Sequence, residues 1–230
     1  MINRSYLMAA ALAVGAMGAG HARADVIPGV ISSITPNVTA STLGLGPEID
    51  VRAAGDRFGV RLGANFFSLQ RNINTNDIHY HGNIDLANGG VVADWYPFKG
   101  GFRLSAGFKI NGNEADVQAR PNGSTITVNH HTYVATGSQI NGKIDFDTFA
   151  PYVGLGYGGR LLDAPMGPTL GIDVGALFQG TPNTSLTASG PIAGIAGFAQ
   201  NLAAENQSLH DKVKDFSVYP VVQISVGWRF

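Results

Sequence analysis

From Val222 to the end of the chain, every second residue is apolar: Val222, Ile224, Val226, Trp228 and Phe230. The residues between them, Gln223, Ser225, Gly227 and Arg229, are polar or lack a side chain. A period of two belongs to a β-strand, with one greasy face and one wet face. A strand that closes on Phe, with Trp two residues earlier, reads as the last strand of a transmembrane β-barrel. There the apolar face meets lipid and the aromatics sit at the interface.

The same alternation recurs along the chain. Leu43, Leu45, Ile49, Val51 and Ala53 alternate with Gly44, Gly46, Glu48, Asp50 and Arg52. Phe58, Val60, Leu62, Ala64 and Phe66 alternate with Gly59, Arg61, Gly63 and Asn65. Phe102 to Asn111, Val153 to Gly158 and Leu170 to Gln179 repeat the pattern, with only Leu177 out of step. Between Ile78 and Tyr96 the apolar parity switches. A bulge near Asn88-Gly89-Gly90 is expected to reconcile the halves.

The other end of the chain predicts export. Met1-Ile2-Asn3-Arg4 is a basic start, Tyr6 to Gly20 is apolar, and Ala22-Arg23-Ala24 is a cleavage signature. Residues 1–24 therefore read as a signal peptide cleaved after Ala24, leaving residues 25–230 as the barrel. The predicted mature chain, about 206 residues, has thirteen basic against sixteen acidic residues, a formal charge near −3. That balance offers no footprint for nucleic acid. The chain contains no cysteine, hence no disulfide framework.

Connection lengths give the topology. Residues 54–57, 97–100 and 160–166 form short links, and residues 70–77, 112–142 and 180–215 form long ones. Their alternation matches periplasmic turns and extracellular loops. The fold class predicted is all-β, an eight-stranded antiparallel transmembrane β-barrel. Its strands are expected at about 26–36, 39–53, 58–69, 78–96, 101–111, 143–159, 167–179 and 217–230. The first is the weakest, with two prolines and an unusually short outer link near Asn37-Val38. In the third loop, Arg120-Pro121-Asn122-Gly123 is turn chemistry and Ser124 to Tyr133 reads as a strand. In the fourth, Gly197 to Lys212 reads as a helix, with Phe198, Leu202 and Leu209 at helical spacing.

Particular stretches then resemble a family. Thr136-Gly137-Ser138-Gln139-Ile140-Asn141-Gly142-Lys143-Ile144 and Phe149-Ala150-Pro151-Tyr152-Val153-Gly154-Leu155-Gly156 are similar to segments of the CarO family of outer-membrane proteins. Asp173 to Asn183 and Asp215 to Pro220 continue the likeness, which covers roughly residues 40–230 and is strongest from 136 onward. The resemblance implies an eight-stranded barrel linked to carbapenem response and to uptake of basic amino acids such as ornithine. No uptake residue is carried over by a motif.

The residues predicted to face the lumen include Glu48, Asp50, Arg52, Arg61, Asn65, Asp94, Arg103, Lys109, Asp173, Gln179 and Arg229. Two readings stand side by side. In one, a narrow channel passes small solutes, with the acids attracting an amino group and the bases a carboxylate. In the other, acids and bases pair into a plug, because a barrel of eight strands is only wide enough for side chains to fill it. Inward glycines favour the channel by leaving space. The corresponding functions are a small-solute channel or a closed structural or adhesive protein with interaction loops.

No other chemistry is expected. His79 and His81 share a strand face, but no Cys or tight carboxylate cluster joins them, so no metal or other cofactor is predicted. No His-Ser pair sits on a predicted strand, so no enzyme activity is expected. The partners predicted are outer-membrane lipid and lipopolysaccharide, with the chain a monomer.

Overall fold

The computed structural model describes residues 30–74, 78–121, 125–162 and 166–230. The expected signal peptide and cleavage site lie outside the described residues, as do residues 26–29 of the first expected strand and the turn at 122–124.

Strands in chain order are β1 (Ile31–Ser41), β2 (Gly44–Ala53), β3 (Phe58–Asn74), β4 (Ile78–Trp95), β5 (Phe102–Asn111), β6 (Glu114–Pro121), β7 (Thr125–Val128), β8 (His131–Val134), β9 (Gln139–Asp145), β10 (Phe149–Arg160), β11 (Gly167–Phe178), β12 (Asn183–Ser189) and β13 (Val218–Arg229). Helix α1 (Phe198–Val213) precedes β13. The order β1-β2-β3-β4-β5-β10-β11-β13 returns to β1 through antiparallel pairs throughout, so eight strands close a barrel. Paired residues followed round from Thr35 run through Asp50, Arg61, Val92, Gly107, Tyr152 and Leu177 to Tyr219. That row starts near the short-turn end of β1 and finishes near the long-loop end of β13, the stagger of tilted barrel strands.

The first strand differs from the expectation. β1 extends to Ser41, and the link is the tight turn at Thr42-Leu43, with Gly44 at φ +112. Asn37-Val38 lies within the strand, paired with Glu48 and Pro47. The inward residues Ser33, Thr35 and Thr39 are small and polar, so their alternation with Ile34, Pro36, Val38 and Ala40 carries little hydropathy contrast.

No bulge occurs near Asn88-Gly90. The β3–β4 register runs unbroken from Phe58↔Trp95 to Asn74↔His79. The parity switch marks a change of surroundings. Beyond the barrel, β3 and β4 continue upward and are joined by β6, β9 and β12 in a wall of five strands. β6 continues β5 along β4 in the same register, Asn88↔Asn111 becoming Asp85↔Glu114. β9 likewise continues β10 in one register along β5 and β6, Phe149↔Ile110 becoming Asp145↔Glu114. These wall strands in the third and fourth loops were not expected, apart from the start of the 143–159 strand, which falls in β9.

Along each wall strand the face continuous with the barrel exterior changes from apolar to polar at one line. Phe66 gives way to Ser68, Ala87 to Asp85, Ile110 to Glu114, Phe149 to Asp145 and Phe178 to Asn183. Phe108 and Phe149 stack 5.2 Å apart just below it. At the short-turn end Phe58, Trp95, Phe98, Tyr157 and Trp228 are exposed, so aromatics ring the apolar belt at both edges. Above the line the opposite, inner face of the wall becomes the apolar one.

Where a single strand was expected over Ser124 to Tyr133, the described residues form a hairpin of β7 and β8. Asn129 and His130 both take positive φ, 47° and 65°, the backbone of a two-residue hairpin turn. α1 forms where expected, entered through Gly197 at φ +80. Phe198 packs edge-on to Tyr133, ring centroids 5.0 Å apart, and buries Val128, Ala135 and Ile192 against Ile140 and Ala188 of the wall. Hairpin and helix thus cap the β9–β12 end of the inner face.

Candidate functional site

The barrel strands turn their polar residues inward, and the lumen they enclose holds two filled layers above an open cavity. At the long-loop end, Leu43 of the β1–β2 turn folds over the opening and packs with Tyr152, Leu177, Val221 and Val92. Leu43 and Leu177 are completely buried. Tyr219 packs beside them and donates its hydroxyl to Thr42 O at 2.7 Å, tying β13 to that turn. Leu177, out of step in the sequence, is therefore inward because it belongs to this apolar plug.

Below the plug lies an ion network. Arg61 on β3 donates from Nε and Nη2 to both carboxylate oxygens of Asp94 on β4, at 2.6 and 3.0 Å. Ser105 on β5 accepts from Arg61 at 3.0 Å and donates to Asp94 at 2.5 Å. Arg103 on β5 clamps Asp173 on β11 in the same two-pronged way, at 2.9 and 2.6 Å. Arg61 Nη1 then lies 3.4 Å from Asp173 and 3.7 Å from Glu48 on β2. Gln223 on β13 donates to Glu48 at 3.1 Å. Buried charges are tolerated when paired and fully hydrogen-bonded, and two bidentate clamps supply much of that here.

Glycines make this network possible, and they do so by being filled. Arg103, Gly156 and Asp173 are register partners on β5, β10 and β11. A Cβ on Gly156 would meet Asp173 Oδ1 at 2.1 Å, so the clamp lies flat over that glycine. Cβ atoms on Gly154 and Gly175 would meet the Tyr152 hydroxyl at 2.5 and 2.6 Å. Lys109, Gly90, Gly63 and Glu48 form another register row, with Lys109 lying across Gly90. At Gly156, Gly154, Gly175 and Gly90 long neighbouring side chains occupy the space an inward glycine leaves, whereas Gly158, Gly159 and Gly171 line open space nearer the short turns.

Lys109 is buried and makes no ion pair among the described residues; its Nζ stands 5.9 Å from the Tyr152 ring centroid. Asn65 donates to Thr39 Oγ1, and Gln179 joins Asn113 near the long-loop end. Toward the short turns the lumen opens into a cavity of about 600 Å³ lined by Glu48, Asp50, Arg52, Arg103 and Arg229. Arg52 lies over the Tyr96 ring at 3.9 Å, and Arg229 pairs with Asp56 at 3.3 Å. Glu48 Oε1 and Asp50 Oδ1 are buried without a hydrogen-bond partner.

All the predicted charged positions therefore meet in this lumen or its cavity. Sequence reasoning did not single out the apolar plug, because Leu43, Tyr152 and Val221 sit among residues of the lipid-facing kind. His79 and His81 stand outside the lumen on the polar face of the wall, where His81 Nδ1 bonds to Asn72 Oδ1.

Neither a family model nor a curated protein matches the chain. Solved structures do. Acinetobacter baumannii CarO aligns over 87% of this chain and 98% of its own, at 21% identity and a TM-score of 0.56. Acinetobacter baumannii CarO2 aligns over 87% and 99%, at 19% identity and a TM-score of 0.57. The chain has the CarO barrel fold. The eight-stranded antiparallel barrel expected from the sequence, and the resemblance to CarO, are both met. At these identities the CarO likeness concerns the fold; the lumen geometry has to speak for the function.

Proposed function

We propose that the chain is an integral outer-membrane protein, its short turns in the periplasm and its wall and helix outside the cell, with a barrel closed to free diffusion at rest. The apolar belt between two aromatic rings supports the membrane setting. Arg61 carries the closed reading: one guanidinium bonds β4 and β5 and contacts β2 and β11, in a lumen already stoppered by Leu43, Tyr152, Leu177 and Val221. The barrel then serves as a non-enzymatic anchor for the wall and its helical cap. The wall's polar outer face sits among the sugars and phosphates of lipopolysaccharide.

Uptake of small basic amino acids such as ornithine or lysine is the second reading, and one observation favours it. The unpartnered oxygens of Glu48 and Asp50 border the 600 Å³ cavity and suit an ammonium group. Entry of labelled lysine, ornithine and a neutral amino acid into proteoliposomes separates the two. Entry no faster than into empty vesicles supports the closed barrel. Selective entry of the cationic solutes overturns it in favour of uptake.

A further inference from the structure

The wall ends in two strand edges of opposite character. At the β12 edge α1 packs down, and Asn206 donates to Thr184 O at 3.2 Å. At the other edge, β3 loses its barrel neighbour after Leu45↔Phe66. From Phe67 to Ile73 it pairs with β4 alone among the described residues, and every residue of this stretch is exposed. A regular strand with a free edge displays a row of unpaired N–H and C=O groups that templates another strand. Folded proteins blunt such edges with proline, several charged side chains, above all lysine, a bulge or a covering loop. Phe67-Ser68-Leu69-Gln70-Arg71-Asn72-Ile73 contains no proline or lysine and a single charge, Arg71; its register with β4 has no bulge, and beyond Phe67, where Gly44 of β2 comes against the strand, no described residue covers it.

We propose that this edge is a docking site for an extended segment of another protein, added to the wall as a sixth strand antiparallel to β3. Main-chain hydrogen bonds supply the affinity in such strand addition, and alternate side chains supply the choice of partner. Phe67, Leu69 and Ile73, 45%, 41% and 59% exposed, lie on the wall's apolar inner face, and Arg71 is the charge among them. The partner segment therefore alternates apolar and polar residues, with a carboxylate on its apolar side to meet Arg71. A second copy of the chain fits badly. In one membrane its β3 runs in the same direction, and a two-fold axis along that direction sets its polar face beside the first copy's apolar face.

The test uses the full folded chain in lipid nanodiscs and a short labelled peptide alternating valine and threonine, with one glutamate on the valine face. Binding is expected, and N-methylation of alternate residues distinguishes its basis. Methyl groups on the edge that faces β3 abolish binding, whereas methyl groups on the opposite edge leave it intact. Arg71→Glu weakens the glutamate peptide by about tenfold and improves a lysine-bearing one, as expected for exchanging an attractive cross-strand pair for a repulsive one. Leu69→Lys, which guards the edge, weakens both peptides. Equal binding of both N-methylated forms, no response to Arg71→Glu, no binding at all, or self-association through this edge would each overturn the proposal. The proposal rests on the outer-membrane reading only for the wall's position outside the cell. Solute entry tests the barrel and peptide binding tests the edge, so the two fail separately.

Discussion

Arg61 Nη1 on β3 lies 3.4 Å from Asp173 Oδ2 on β11, and this contact joins two otherwise separate clamps, Arg61–Asp94 and Arg103–Asp173, across the lumen. Removing the guanidinium leaves Asp94 buried against Ser105 with no cation on it. Arg61→Ala is therefore expected to destabilise the barrel by about 3–5 kcal/mol, the usual result of breaking a buried pair from one side. Replacing Arg61 and Asp94 together by Met and Leu should cost much less. Urea unfolding in lipid vesicles measures both; equal losses for the single and double variants would show that the pair does not act as a unit.

Gly156 tests the idea that inward glycines are seats for long side chains. Gly156→Ala puts a methyl group where Asp173 Oδ1 now lies, and the loss expected is about 1–3 kcal/mol, the ordinary cost of overpacking. Gly159→Ala, three residues along the same strand with nothing within 4 Å of its Cβ position, should stay within about 0.5 kcal/mol of the parent. Similar unfolding curves for both variants would contradict the seat.

The boundary between lipid and water is equally open to test. Ile172→Arg, in the middle of the belt, should cost about 2–4 kcal/mol in vesicles. Gln118→Arg, on the polar face of the wall, should cost less than about 0.5 kcal/mol. A large penalty at Gln118 would mean that the wall is immersed in lipid.

Much of the barrel was legible in the sequence because lipid on one side and a polar lumen on the other impose a strict period of two. The closing strand, Val222 to Phe230, shows it without a break. β1 was misjudged because its lumen face is Ser33, Thr35 and Thr39, whose small side chains hardly contrast with Pro36 and Ala40. The parity switch in β4 was visible, but its cause was not local. Ile78, Tyr80, Ile84 and Leu86 face inward because lipid no longer lies outside them, and only the pairing with β6 reveals that. The clamp of Arg103 and Asp173 is separated by seventy residues, and it becomes legible only through the register that sets Gly156 between them.

On the closed reading two barriers stand in series in the lumen, so neither Arg61→Ala alone nor Tyr152→Ala with Leu177→Ala alone is expected to open it. Combining all three substitutions removes the network's bridge and the plug together and should yield a measurable ionic conductance, provided gel mobility shows the variant folded.

Conductance of the unmodified protein across a planar lipid bilayer tests the closed barrel most directly. The account predicts no steady current above that of the bare membrane at moderate voltage. A stable, ohmic conductance from the unmodified chain would contradict it.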